Sequence, residues 1–117
     1  METLTIVLQE APYLEGNKAW HALRLAGASL ADSLTVRLFL LEKGVEVARR
    51  GHVPPEGIAN LEGLLIELIE CGLEVEGCGM CLKNCCLPEE SLIPGVHRGS
   101  MRSLANWIKT SGNVLTF

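Results

Sequence analysis

The chain has 117 residues, of which 48% are hydrophobic and 21% are charged, and this composition excludes a disordered or low-complexity polypeptide. Fourteen acidic against ten basic side chains give a net charge of -4, whereas a nucleic-acid binder of this size usually shows a basic excess. The length predicts one domain, residues 1–117, that can bury a core without disulfide or metal staples.

The first half of the chain predicts alternating strands and helices. The β-branched, apolar run 3–8 indicates a buried strand, and a helical pattern follows over 14–30. A second strand is predicted over 35–40 and a short helix over 44–50. A loop rich in proline and glycine then precedes the next helix.

The second half of the chain continues this alternation. Asn60 is the predicted N-cap of a helix whose apolar residues recur at helical spacing until Gly72 ends it. A short strand over 73–76 leads into a cysteine-rich turn, 77–86. The remaining predicted elements are a helical turn opened by Pro88, a strand over 96–99, a helix capped by Ser100 and a last strand over 114–117.

The order of these elements predicts an α/β fold, because strands that are joined through helices form parallel sheets with helices on their faces. In such sheets, ligands and chemistry gather at the carboxyl ends of the strands. The cysteine-rich turn follows the third strand, so we expect it at that edge of the sheet.

The short apolar runs of the sequence indicate the cellular compartment in which the protein is expected. None approaches the roughly 18–20 residues that a membrane-spanning helix needs, and the first residues lack the basic and apolar regions of a signal peptide. We therefore expect a cytoplasmic protein, in reducing surroundings that disfavour structural disulfides. The odd number of cysteines, five, also prevents complete pairing within one chain.

The cysteine-rich turn contains a CxxC motif formed by Cys78 and Cys81. This spacing suits a redox pair, half of a metal site, or a single nucleophile with a bystander thiol. Backbone N–H groups of the turn are expected to lower the pKa of a thiol there. Gly77 and Gly79 flank the first cysteine, and we expect them to leave room for the approach of a partner sulfur.

A metal is the competing use of these cysteines. Cys78, Cys81 and either Cys85 or Cys86 are candidates to supply thiolates to zinc or to an iron–sulfur cluster. Against this, the strong zinc signal is two separated CxxC pairs, and the sequence has one. Cys71, near the end of the leucine-rich helix, is predicted to be a small buried hydrophobe.

The three histidines are scattered, and we interpret each as an incidental side chain. His21 adjoins Trp20 in the first helix and His52 lies in the proline-rich loop. His97, in the predicted fourth strand, is the one expected nearest the cysteine-rich turn. A histidine beside a cysteine acts as a base or stabilises a thiolate, which is the functional interpretation of His97.

Six short segments carry a resemblance to a known family. In chain order they are Ala11-Pro12-Tyr13, Leu23-Arg24-Leu25-Ala26, Val36-Arg37-Leu38-Phe39-Leu40, Gly77-Cys78-Gly79-Met80-Cys81, Leu92-Ile93-Pro94-Gly95-Val96 and Val114-Leu115-Thr116-Phe117. Together they resemble the DsrE/DsrF-like superfamily, and most closely its YchN-like branch, over essentially the whole chain. The resemblance implies a three-layer α/β/α fold with a five-stranded, mainly parallel sheet, and homo-oligomers that are often trimers or hexamers.

The resemblance also implies roles for two cysteines. Members of the superfamily carry sulfur as a persulfide, in sulfur oxidation or in tRNA thiolation relays, on a cysteine that matches Cys78. Cys81 matches a second cysteine of the YchN-like branch. Where relatives commonly continue with Arg-Gly, this chain has Cys85-Cys86. Two alternatives stay open: Lys83 replaces an arginine that would stabilise a thiolate, or the additional thiols take another role.

We therefore expect a sulfur-relay protein that receives sulfane sulfur on Cys78 and passes it to an acceptor thiol, with Cys81 able to resolve the persulfide into a disulfide. Its partners would be sulfur donor and acceptor proteins, without nucleic acid, membrane or a bound cofactor. The sequence has no signature of a turnover enzyme. Two alternatives stay open: a metal-binding or redox-sensing module that uses residues 78–86, and an oligomeric scaffold with incidental cysteines.

Self-association is expected from composition as well as from the resemblance. The mean hydropathy is +0.26, and a small chain this apolar would expose apolar surface as a monomer. We expect a closed symmetric assembly, a homotrimer or a homohexamer.

Overall fold

A computed structural model describes residues 2–117 and contains one five-stranded sheet. The strands are β1 (Thr3–Leu8), β2 (Thr35–Leu40), β3 (Glu74–Cys78), β4 (Val96–Gly99) and β5 (Asn113–Thr116). Their order across the sheet is β4-β3-β2-β1-β5, and every neighbouring pair is parallel. The predicted α/β fold with a mainly parallel, five-stranded sheet is confirmed.

Four α-helices and two 3₁₀-helices connect these strands. The α-helices are α1 (Lys18–Ala31), α2 (Leu61–Glu70), α3 (Gly79–Asn84) and α4 (Met101–Lys109), and the 3₁₀-helices are Glu42–Ala48 and Glu89–Ser91. The chain moves from β1 to β4 in one direction across the sheet and then returns past β1 to β5. Because such crossovers are right-handed, α1, α2 and α3 lie on one face and α4 lies on the other, which makes three layers.

The core is divided unequally by the sheet. The larger part packs α1 and α2 against β1 and β2, and its fully buried strand residues include Ile6 and Leu38. The smaller part, under α4, consists of Val7, Phe39, Cys78 and Leu104. Alternate residues of a strand point to opposite faces, so neighbours such as Leu38 and Phe39 supply different parts of the core.

Two predicted helix caps are confirmed, because each depends only on local hydrogen bonds. The Asn60 side chain accepts hydrogen bonds from the backbone amides of Glu62 and Gly63. Ser100 and Ser103 form a reciprocal capping box at the start of α4.

Several predicted boundaries differ from the structure. The first helix begins at Lys18 rather than at residue 14, because Tyr13 and Asn17 have left-handed backbone conformations that interrupt a helix. The third strand runs on to Cys78, since Gly77 and Cys78 pair with β4. The cysteine-rich turn contains a helix, α3.

Among the described residues, no helix combines the length and apolar character needed to cross a membrane.

Candidate functional site

Cys78 is the last residue of β3, at the carboxyl edge of the sheet, as predicted. Its register partner is Gly99 of β4, and the next residue begins α3. Its side chain is 6% exposed and belongs to the small core under α4, with Phe39 and Leu104. The site thiol is therefore placed by β3 and shielded by neighbouring elements rather than carried on an open loop.

Cys81 comes together with Cys78, as the CxxC spacing predicted. Burial raises the pKa of the Cys81 thiol, and a hydrogen bond with Cys78 raises it further. The backbone amide of Glu42 donates to Cys81 Sγ at 3.2 Å and acts on this pKa in the opposite direction.

An arginine that the sequence analysis missed covers this motif. Arg98 of β4 donates from Nη2 to the carbonyl oxygen of Gly79 at 3.0 Å. A Cβ built on Gly79 would lie 2.8 Å from Arg98 Nε, so the missing side chain is what allows the guanidinium to approach. Arg98 therefore supplies a cation beside the CxxC backbone, a role for which Lys83, an exposed residue of α3, had been the candidate.

The expectation that two flanking glycines leave room for a partner sulfur is wrong. The space beside Gly79 is filled by the guanidinium of Arg98, and a Cβ on Gly77 would meet Leu82 at 3.3 Å. These glycines permit close packing inside the chain. Access to Cys78 is consequently controlled by how α3 and Arg98 are positioned.

The other cysteines occupy different parts of the fold. Cys85 caps the carboxyl end of α3 and is half-buried, and Cys86 is exposed in a left-handed conformation with φ 54°. Cys71 is exposed, so the prediction of a buried hydrophobe is wrong. It is the C-cap of α2, where the helix ends.

The histidines do not join the cysteine pair in the way their sequence positions allowed. His97 pairs in register with Glu76 and is exposed, whereas the next residue of β4, Arg98, reaches the CxxC motif. His52 Nδ1 lies 2.7 Å from the hydroxyl of Tyr13, and its Nε2 lies 3.0 Å from the carbonyl oxygen of Val47. Because Nε2 faces a carbonyl it carries the proton, so Nδ1 accepts from the tyrosine.

The donor set for a metal is incomplete in this conformation. Within residues 2–117, no group of three or more His, Cys, Asp or Glu side chains is placed so that it could hold an ion. The cysteines of the cluster are free thiols spread along α3, from its first turn to its end. The arrangement is suited to thiol chemistry on sulfur, because neighbouring thiols exchange sulfur by nucleophilic attack.

Comparison with known proteins gives consistent results over the full chain. A model of the DsrE/DsrF-like family matches residues 2–117. The uncharacterized protein MK0008 of Methanopyrus kandleri is 41% identical over 117 residues, which cover 100% of this chain and 95% of that protein. Protein YchN of Escherichia coli is 34% identical over 119 residues, covering 100% of both chains. The crystal structure of the E. coli ychN protein superposes with a TM-score of 0.90, covers 100% of both chains and shares 33% identity.

Proposed function

Because the chain belongs to the DsrE/DsrF-like family, which is associated with sulfur relay, we propose that it carries sulfane sulfur as a persulfide on Cys78. The observation that carries this proposal is the packing of Cys81 against the core that contains Cys78, at the carboxyl end of β3, with the Arg98 guanidinium bound to the intervening backbone. Thiol pair, cation and strand end occur together at one edge of the sheet.

Loading and delivery are both exchange reactions at sulfur. The Cys78 thiolate attacks the outer sulfur of a donor persulfide, the donor S–S bond breaks, and the donor leaves as a thiolate. An acceptor thiolate then attacks the outer sulfur of the Cys78 persulfide and releases Cys78 as a thiolate. No electrons are lost or gained overall, so the carrier needs no redox cofactor for either step.

The surroundings of Cys78 favour holding sulfur over releasing it to solvent. Only 6% of the side chain is exposed, so reaction of an added sulfur with dissolved thiols and oxidants is slowed. The Arg98 charge lies beside Gly79, where it can interact with a persulfide anion on the preceding residue. Transfer to a partner then requires α3 or Arg98 to shift when the partner docks.

Intact-mass spectrometry after incubation with a small-molecule persulfide tests this proposal. The parent protein should gain about 32 Da, the mass of one sulfur atom, in a form that a reductant removes. Cys78→Ser should lose this adduct, and Cys71→Ser, which removes an exposed thiol at the far end of β3, should keep it. The assignment would be refuted if Cys78→Ser took up as much sulfur as the parent, or if neither Cys78→Ser nor the parent took up sulfur.

A thiol–disulfide sensor is the second candidate, and the contact between Cys78 and Cys81 favours it. In that case the pair would form a disulfide on mild oxidation, with a loss of about 2 Da, and would not take up sulfur from a persulfide donor. The same mass measurement separates the two functions, because one adds a sulfur atom and the other removes two hydrogens.

A further inference from the structure

We propose that α3 is an intramolecular sulfur relay, in which sulfur moves from Cys78 through Cys81 to Cys85, the thiol from which it leaves the protein. This inference rests on the proposed function and adds the exit route. It uses a cysteine that lies outside the CxxC motif.

The three thiols follow one another along α3. Cys81, in the first turn of the helix, packs against the small core that contains Cys78, the residue that caps the helix. Cys85 is four residues further on, and its amide donates to the Cys81 carbonyl oxygen at 3.0 Å, which continues the helical turn. Residues at this spacing lie on the same face of a helix, so Cys81 and Cys85 are neighbours.

A small cavity joins the second and third thiols. Cys81 and Cys85 both line a space of about 80 Å³, together with Glu42, Lys43 and Asn84. This volume is several times what one water molecule requires, so it accommodates an added sulfur atom. The cavity is too small for a protein segment. Its size therefore suits the transfer of a sulfur atom between the two cysteines.

Burial decreases along this row, and a cation lies near each end of it. Arg98 lies beside the start of α3, and Arg49 lies near Cys85 and Cys86 at its end. Arg49 is held in place by Glu46, whose Oε1 accepts from Arg49 Nε at 2.8 Å. Exposure increases from buried Cys78 to the half-buried thiols Cys81 and Cys85, so a sulfur that moves along the row approaches the surface.

Each step balances without an outside reactant. The Cys81 proton passes to the outer sulfur of the Cys78 persulfide anion, the Cys81 thiolate attacks that sulfur, the S–S bond to Cys78 breaks, and Cys78 leaves as a thiolate. The products are a Cys78 thiolate and a protonated Cys81 persulfide. Cys85 then attacks the outer sulfur of that persulfide, its proton passes to the Cys81 sulfur that leaves, and the S–S bond to Cys81 breaks.

Tryptic digestion shows how far the sulfur has moved, because cleavage after Lys83 places Cys81 and Cys85 on different peptides. Peptide 51–83 contains Cys71, Cys78 and Cys81, whereas peptide 84–98 contains Cys85 and Cys86. The full-length protein is loaded with less than one equivalent of glutathione persulfide, and samples are alkylated at increasing times and digested. Sulfur, about 32 Da, should appear first on 51–83 and later on 84–98.

Four variants decide the route. Cys81→Ser and Cys85→Ser should each reduce the adduct on 84–98 by about tenfold or more, because intramolecular attack is lost. Cys86→Ser, the matched control one residue away, should keep it. Cys78→Ser should leave both peptides without sulfur.

Sulfur that stays on 51–83 in the parent would overturn the relay and leave the carrier proposal standing. Sulfur that reaches 84–98 at the parent rate in Cys81→Ser or Cys78→Ser would overturn the relay as well, since the donor would then be charging Cys85 directly. Absence of sulfur from both peptides in the parent would overturn the relay and the carrier proposal together.

Discussion

At the scale of single residues, the site depends on the asymmetry between its two closest thiols. Cys78 is buried in the small core at the end of β3, and Cys81, in the first turn of α3, packs against that core. Burial, and after it a hydrogen bond with Cys78, raise the pKa of Cys81, so Cys81 keeps its proton at neutral pH. Cys78 is the thiol that the strand holds in place, and Cys81 is the protonated thiol beside it.

The raised pKa of Cys81 leads to a pH prediction. In Cys78→Ala, Cys81 loses its hydrogen bond with Cys78, which raises its pKa, so its pKa should fall and its thiolate should form at lower pH. The rate at which iodoacetamide alkylates Cys81 is followed by peptide mass spectrometry between pH 6 and 10, and the midpoint is the pH at which this rate is half its maximum. The midpoint should be lower in Cys78→Ala than in the parent, and Cys86→Ser should leave it unchanged. An equal or higher midpoint in Cys78→Ala would show that Cys78 does not raise the pKa of Cys81.

At the scale of elements, the 3₁₀-helix Glu42–Ala48 is what fixes the outer side of the site. Its first residue donates to Cys81 Sγ, and Gly44 packs against the end of β1. A Cβ on Gly44 would overlap the carbonyl oxygen of Leu8, which is backbone and cannot rotate away. The glycine therefore holds this 3₁₀-helix close to the sheet edge and, through it, positions the hydrogen bond to Cys81.

Two glycine substitutions test this role of close packing. Gly44→Ala should destabilise the protein by about 1–3 kcal/mol, the usual cost of overpacking a core. Gly63→Ala is the matched control, because Gly63 lies in α2 with nothing within 4 Å of its added Cβ, and it should stabilise by about 0.5–1 kcal/mol. Urea unfolding measures both changes. Equal stability of Gly44→Ala and the parent would mean that the 3₁₀-helix does not need this close approach.

Several features at this scale could be predicted from the sequence. The succession of strands and helices along the chain, the caps at Asn60 and Ser100 and the proximity of the CxxC thiols all depend on residues near one another in sequence. Arg98 was not, because its contact with Gly79 depends on the register of β4 against β3. The sequence predicts the fourth strand near the cysteines, and His97 was the residue of that strand considered for a role there. Alternation along the strand points its neighbour, Arg98, to the motif instead.

At the scale of the whole molecule, apolar side chains remain uncovered on the α4 side and at the β5 edge. Met101 is 59% and Ile108 45% exposed on α4, and Val114 is 39% and Leu115 44% exposed on β5. Strand β5 also ends the sheet, so one side of its backbone has no partner strand among the described residues. We propose that copies of this chain associate through this surface, as a homotrimer or a homohexamer.

Sedimentation measures this prediction. At micromolar concentration the parent should sediment as a closed trimer or hexamer, and Ile108→Glu should shift it towards the monomer, because a charge would be buried in the interface. Ile66→Glu, at a comparably exposed position of α2, should leave the assembly intact. A monomeric parent at that concentration would contradict the prediction.

The carrier assignment is tested most directly by locating the sulfur in the unmodified protein. The parent is loaded with glutathione persulfide, quenched within the first part of the reaction, and peptide 51–83 is fragmented to separate Cys71, Cys78 and Cys81. Our account predicts that the additional mass of about 32 Da appears first on Cys78. Its first appearance on Cys71 or Cys81, or its absence from all three, would contradict the account.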